Sequence, residues 1–460
     1  MRSALFALLF PVLITSSFAQ SAQRLELSIS GAAGQTVFLA DYQGNRYFYN
    51  DTAVADANGL AVFDRKGGYR PGLYVVCLGA KRLEVILAEP LVRLATDASD
   101  LAGQVKVVES RENEIHHVLR KAAEAAPVEE RDAALLALAD ENPGTLAGVL
   151  IRMSVDPRKV EVHRADGLLD STATSNHYRD HFWDNTLLTD DRIARSPMFQ
   201  NRFEELMAVG LPKDPLMVNI YLDDLITRTG DAKAVQDIIV NSSIDRYNTS
   251  PGMGATYVHM AQRYVCTGPN GTLVTTRQPM DKWIKVCADA VKKASLVTGG
   301  KSRDLVLCDT TEKHWVSLHA MPQACIVVAF WSPHCSHCKQ AMPVLHDEYV
   351  KELRALDVGV YAVAEVRDSL LFTDWKAFIR EQHLDWVNVG IPWHVYNAWT
   401  ADPGKFVPGK TTTESMTYAS TWEVNSTPQF YVLDKERRIL AKPSTINEVL
   451  DAVRAYRAKQ

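Results

Sequence analysis

Phe330-Trp331-Ser332-Pro333-His334-Cys335-Ser336-His337-Cys338-Lys339 stands where one hydrophobic pattern gives way to another. Just before it, Ile326-Val327-Val328-Ala329-Phe330 is a short unbroken apolar run, suited to a strand buried on both faces. After it, apolar residues recur at helical spacing from Cys338 to Leu356. Two cysteines in C-x-x-C spacing are thus expected at the N-terminus of a helix that a buried strand feeds. There the helix dipole and its free N–H groups lower the pKa of the first thiol, and the thiolate is the species that attacks disulfides. A zinc site would need a second ligand pair, and Cys77, Cys266, Cys287, Cys308 and Cys325 form no such doublet. A c-type haem needs His directly after the second cysteine, where Lys339 stands. A purely structural disulfide is the bland alternative.

The residues downstream alternate strand and helix patterns. Val358 to Ala364 and Gln429 to Leu433 read as strands, and Thr373 to His383 and Asn447 to Ala458 as helices, which argues an α/β sheet over residues 300–460. Upstream, residues 112–298 carry helical periodicity in runs such as Glu129 to Asp140 and Pro215 to Arg228, and read as an all-α middle domain. Residues 24–108 instead show β-rich runs, among them Leu25 to Ile29 and Leu73 to Val76, with turn signals at Asn58-Gly59 and Pro71-Gly72. They read as an N-terminal antiparallel β-sandwich. A chain of 460 residues has room for these three domains.

The first nineteen residues read as an address. Arg2 gives a positive start, Ala4 to Ile14 an apolar run too short to span a bilayer, and Ser17-Phe18-Ala19 a cleavage site. A signal peptide over 1–19 implies a periplasmic or extracellular protein with no stable membrane span, in a compartment where disulfides form. With 50 Lys and Arg against 55 Asp and Glu, the net charge of −5 has the wrong sign for a phosphate-binding surface, so nucleic acid is not an expected partner.

The buried strand leading into Trp331-Ser332-Pro333-His334-Cys335, the downstream Thr427-Pro428, the strand Phe430 to Asp434 and a C-terminal amphipathic helix resemble the thioredoxin superfamily. The likeness is to its periplasmic branch that includes TlpA and ResA and the related alkyl hydroperoxide reductase/thiol-specific antioxidant-like domains. More weakly, the upstream regions resemble the β-sandwich and helical domains that precede such modules in exported bacterial proteins. The resemblance implies a thioredoxin-like fold for residues 300–460 and a thiol-disulfide oxidoreductase that uses neither cofactor nor metal. Its partners would be protein or peptide disulfides and thiols, together with an electron donor. Cys335 would be the attacking thiolate and Cys338 the resolving thiol. Pro428 would be cis and lie against the pair, offering the Thr427 backbone to an extended substrate segment, while Trp331 walls the site. His337, between the cysteines, would stabilise the Cys335 thiolate through a partly positive imidazole.

Two positions depart from the family pattern. Thioredoxin carries a buried carboxylate six residues before its first cysteine, where Ala329 stands here, and ResA-like members carry Glu three residues after the second cysteine, where Ala341 stands. Glu365 is the nearest acidic substitute that the sequence offers. The segment Gly390 to Tyr418 is longer than the expected connection and reads either as a surface loop or as a recognition element over Cys335. Of the other cysteines, Cys266 and Cys287 are the candidate structural bridge, and Cys308 and Cys325 read as buried small hydrophobes. Two further readings stay open: an envelope scaffold that uses the thioredoxin fold for docking, and a thiol peroxidase.

Overall fold

The computed structural model describes residues 24–157, 160–250, 252–266, 280–403 and 409–460. The signal-peptide reading of residues 1–19 lies outside them. The described chain divides into two compact units, the first ending at Asp245 and the second running from Arg246 to Gln460.

The first unit begins with eight strands: β1 (Arg24–Ser30), β2 (Thr36–Gln43), β3 (Arg46–Val54), β4 (Leu60–Phe63), β5 (Gly72–Leu78), β6 (Lys81–Leu87), β7 (Leu91–Asp97) and β8 (Lys106–Glu109). They form two four-stranded sheets, ordered β4-β1-β7-β8 and β3-β2-β5-β6. In β1 the alternation of the sequence is physical: Leu25, Leu27 and Ile29 are buried while the residues between them are not. These side chains join Val37, Leu39, Val76, Val85 and Leu94 in one core. The expectation of a purely antiparallel sandwich needs correction, because β1 and β7 run parallel, in a register that pairs Leu25 with Val92 and Leu27 with Leu94. Period-two alternation fixes which face a residue takes and is silent about a neighbour's direction. Here β7 leaves β6 through Ala88-Glu89-Pro90 and joins the other sheet alongside β1. Helices come next, from Arg111 onward, among them Val128–Glu141, Leu146–Ser154, Ser171–His181 and Pro215–Arg228.

The second unit opens with the helices Gly254–Tyr264 and Met280–Ala294, and a Cys266–Cys287 disulfide lies in this region. Its sheet holds β9 (Val306–Asp309), β10 (Trp315–Ser317), β11 (Cys325–Trp331), β12 (Val358–Ala364), β13 (Val387–Gly390), β14 (Gln429–Leu433) and β15 (Ile439–Ala441). The order is β10-β9-β13-β12-β11-β14-β15. β11, β12 and β13 are parallel, and β14 runs antiparallel to β11.

Every residue of β11 and β12 is buried. That is the physical meaning of their unbroken apolar sequence: the sheet is covered on both faces. On one face Val327, Ala329 and Trp331 pack with Cys338, Met342 and Leu345 of the helix Ser336–Glu348, with Phe372 and Trp375 of the helix Ser369–Glu381, and with Val449 and Val453 of the helix Ile446–Arg457. On the other face Ile326, Val328 and Phe330 pack with Tyr361, Met416, Trp422 and Tyr431. The strand–helix junction that carries the two cysteines is therefore held from both sides.

Candidate functional site

β11 ends at Trp331, and Ser332-Pro333-His334 turns the chain into the helix Ser336–Glu348. Cys335 is the N-cap residue of that helix. Its backbone N–H donates to Ser332 O at 3.1 Å, and its Sγ accepts the Cys338 backbone N–H at 3.2 Å. The sulfur thus occupies the place that a serine or aspartate oxygen takes in an ordinary cap, facing N–H groups the helix cannot satisfy itself. On its other side the Cys335 thiol donates to Thr427 O at 3.3 Å. The Thr427-Pro428 peptide bond is cis, and Pro428 precedes β14, the antiparallel neighbour of β11.

The two thiols, both free, differ in environment. Cys335 is partly exposed, whereas Cys338 is fully buried in the core under the sheet. Burial pulls the Cys335 thiol upward, but hydrogen bonds from the side chains of Cys338 and Thr427 and from the backbone of Cys338 and His337 outweigh it and hold the thiol below its ordinary value. Burial, reinforced by the hydrogen bond with Cys335, pushes Cys338 up to about 12. Of the two sulfurs, Cys335 is the one that ionises more readily.

Trp331 is fully buried, with its ring 5.3 Å from that of Phe378. It is a wall of the core beneath the motif. His337 is exposed on the first turn of the helix. Cys335, Cys338 and Thr427 are therefore brought into direct contact, while Trp331 and His337 flank them from below and outside. Ala329 and Ala341 supply no carboxylate at the family's positions, and the carboxylate of Glu365 pairs with Arg367 at 2.5 Å. The reason is local, since Glu365 comes directly after the end of β12 and Arg367 lies two residues on. Cys77, Cys308 and Cys325 are buried and unbonded, and burial holds Cys308 up at about 11 and Cys325 at about 12.

The sequence alone assigns no role to His334 or Asp374. The His334 Nε2 lies 2.6 Å from Asp374 Oδ2, across 40 residues of sequence, and both side chains are nearly half exposed. No periodicity or spacing could have paired them, because the contact exists only once the helix Ser369–Glu381 docks beside β11. The long segment after β13 contributes the helices Trp393–Ala401, Thr413–Met416 and Tyr418–Thr421. Tyr418 stacks on Phe330 with ring centroids 5.7 Å apart. With Arg367, Ile391, Tyr396, Trp399 and Met416 it lines a cavity of about 230 Å³ near Ala364, the residue that pairs with Trp331.

No family model matches the chain. No curated protein matches it either. Among solved structures, a thioredoxin-like protein from Bacteroides caccae is 14% identical, with 65% of this chain and 98% of that one covered and a TM-score of 0.40. A domain of a "possible thiol-disulfide isomerase" from Cytophaga hutchinsonii is 27% identical, covering 36% of this chain and 95% of its own at a TM-score of 0.28. The thioredoxin domain of a thiol-disulfide oxidoreductase from Bacteroides vulgatus is 20% identical, covering 35% and 98%, also at 0.28. Over part of its length, the chain is similar to thioredoxin-like and thiol-disulfide oxidoreductase structures.

Proposed function

We propose that this protein is an exported thiol-disulfide oxidoreductase that exchanges disulfides with other proteins through Cys335 and Cys338. The observation that carries the reading is the asymmetry of the two sulfurs: one partly exposed, capped by N–H groups and lowered in pKa, the other buried and raised. The Cys335 thiolate attacks a client disulfide and forms a mixed disulfide. Cys338 then attacks the Cys335 sulfur and releases the reduced client, and the reverse sequence oxidises a dithiol. A client segment in extended form would pair with the backbone at Thr427 and Pro428, with Trp331 and His337 bordering it. Residues 300–460 would be the exchanging module, preceded by modules at 24–108 and 112–298. A Cys266–Cys287 disulfide supports an oxidising compartment, periplasmic or extracellular. Among the described residues no helix is long and apolar enough to cross a membrane.

The test is to express Cys338→Ser in its native envelope and identify what stays covalently attached. A defined set of proteins bound through Cys335, released by reductant, is the expected result. Absence of any adduct in Cys338→Ser, with Cys335 reactive toward small alkylating agents, would count against exchange with proteins.

A further inference from the structure

A reaction through Cys335 leaves one step without a visible agent. The client sulfur that departs carries negative charge, and a thiol of ordinary pKa, about 8.5, leaves more slowly than an acidic one, so a proton donor beside it would speed its departure. The family's two carboxylate positions are alanines here, and Glu365 is engaged by Arg367. We propose that His334, held by Asp374, is a catalytic residue that passes a proton to the leaving client sulfur and takes one from an attacking client thiol. The proposal rests on the disulfide-exchange reading above.

The geometry supplies position, orientation and tautomer. His334 directly precedes Cys335 in the turn between β11 and its helix, close enough along the chain for its ring to reach a client sulfur held on Cys335. The Cys335 thiol faces Thr427 O, and the His334 ring reaches Asp374. A carboxylate only accepts hydrogen bonds, so the 2.6 Å contact fixes the proton of the His334 ring on Nε2 and leaves Nδ1 as the nitrogen that exchanges a proton. Asp374 is held in place by its helix: Asp368 caps the first turn through Leu371 N, Trp375 is fully buried, and Phe378 packs on Trp331. An exposed ion pair of this kind adds at most about 1 kcal/mol to stability, which is a weak structural reason for its presence.

At the start of the motif helix the charged and titratable groups are Cys335, His337, Cys338 and Lys339, and on the first two turns of the other helix, with its cap, Asp368, Asp374 and Lys376. Glu365 and Arg367 stand at the end of β12, and Glu423 ahead of Thr427. Glu365 and Arg367 neutralise each other, and Asp368 is occupied as a cap.

In client reduction the Cys335 thiolate forms a bond to one client sulfur as the client S–S bond breaks, and the departing sulfur takes the Nδ1 proton of a doubly protonated His334. Cys338 then bonds to the Cys335 sulfur, and the second client sulfur leaves with the proton that Cys338 gives up. Two electrons and two protons have passed to the client, and neutral His334 regains its proton from water. In client oxidation the neutral Nδ1 takes the proton of the attacking client thiol.

The test compares two probes in single-turnover reactions of the reduced full chain: glutathione disulfide, whose leaving thiol has an ordinary pKa, and an aryl disulfide, whose leaving thiol is already acidic. For His334→Ala the ratio of the glutathione-disulfide rate to the aryl-disulfide rate at pH 7 should fall about tenfold to a hundredfold, as expected for loss of a general acid. Asp374→Asn should lower the same ratio, and Asp374→Glu should restore it. Alkylation of Cys335 in each variant reports that the site is folded. An unchanged ratio in His334→Ala, or equal slowing with both probes, overturns the proposal. Cys335→Ser separates the two levels: if it exchanges with either probe as fast as the native protein, the exchange reading itself fails, whereas its inactivity beside an unaffected His334→Ala rejects the proton transfer alone.

Discussion

At the scale of single residues, the difference between Cys335 and Cys338 comes from where each stands on one helical turn. Cys335 caps the helix and meets its N–H groups; Cys338, three residues later, faces the core with Met342 and Leu345. Iodoacetamide at pH 7 should therefore alkylate Cys335 at least about tenfold faster than Cys338, since the thiolate is the reacting species. Its rate-versus-pH curve should have a midpoint below that of an ordinary thiol. Mass-spectrometric timing of each adduct checks both points, and equal rates would remove the assigned roles. The C-x-x-C spacing and the Thr427-Pro428 dipeptide were legible in the sequence because both are local. The His334–Asp374 contact was not, since it needs a helix 40 residues away to dock beside the end of β11. The engagement of Glu365 by Arg367 was hidden too, because it depends on how the chain bends as it leaves β12.

Elements were legible to the degree that burial imposes a period. β11, β12 and β14 lie inside the sheet, and their limits track the apolar runs closely. β3 escaped, because it is an edge strand whose Tyr47, Phe48 and Tyr49 stay exposed and show no buried alternation. The turn at Asn58-Gly59 was readable for a local reason that the structure makes concrete. Gly59 has φ of +79°, and a Cβ there would lie 2.2 Å from Ile29 O. Gly59→Ala should thus destabilise the first unit by about 1–3 kcal/mol, measured by urea unfolding. A loss below a few tenths would mean that the turn relaxes freely. The depth of His116 and His117 was not legible, since sequence does not show how far a helical side chain is buried. Burial, then the neighbouring His117 and Arg120, push His116 down to about 3 from an ordinary 6.5, and burial also lowers His117. Between pH 6.5 and about 3 the unfolded chain binds a proton at His116 that the folded chain does not. Stability present above pH 6.5 is therefore lost as the pH falls, by up to about 1.4 kcal/mol per pH unit for each such group. His116→Gln should flatten that slope in unfolding measured from pH 7 to pH 5, and an unaltered slope would show that His116 titrates normally.

For the whole molecule, composition argued against nucleic acid as a partner and the change from β to helical to alternating periodicity outlined the architecture, but direction and pairing stayed hidden. The parallel pairing of β1 with β7 is one example. The Cys266–Cys287 bridge, legible only as a candidate, closes a loop with a separation of 21 residues. Replacing both by Ala should cost about 3 kcal/mol of stability, read by thermal and urea unfolding, while leaving the Cys335 alkylation rate intact. Whether the chain exchanges disulfides through a two-cysteine site is read out by reacting the reduced full chain with glutathione disulfide and tracking the thiols by mass spectrometry. The native protein should end with a Cys335–Cys338 disulfide, Cys338→Ser should stop at a glutathione adduct on Cys335, and Cys335→Ser should not react at this site. A native protein that leaves both thiols reduced, or a Cys335→Ser variant that reacts as fast as the native chain, would contradict exchange through this site.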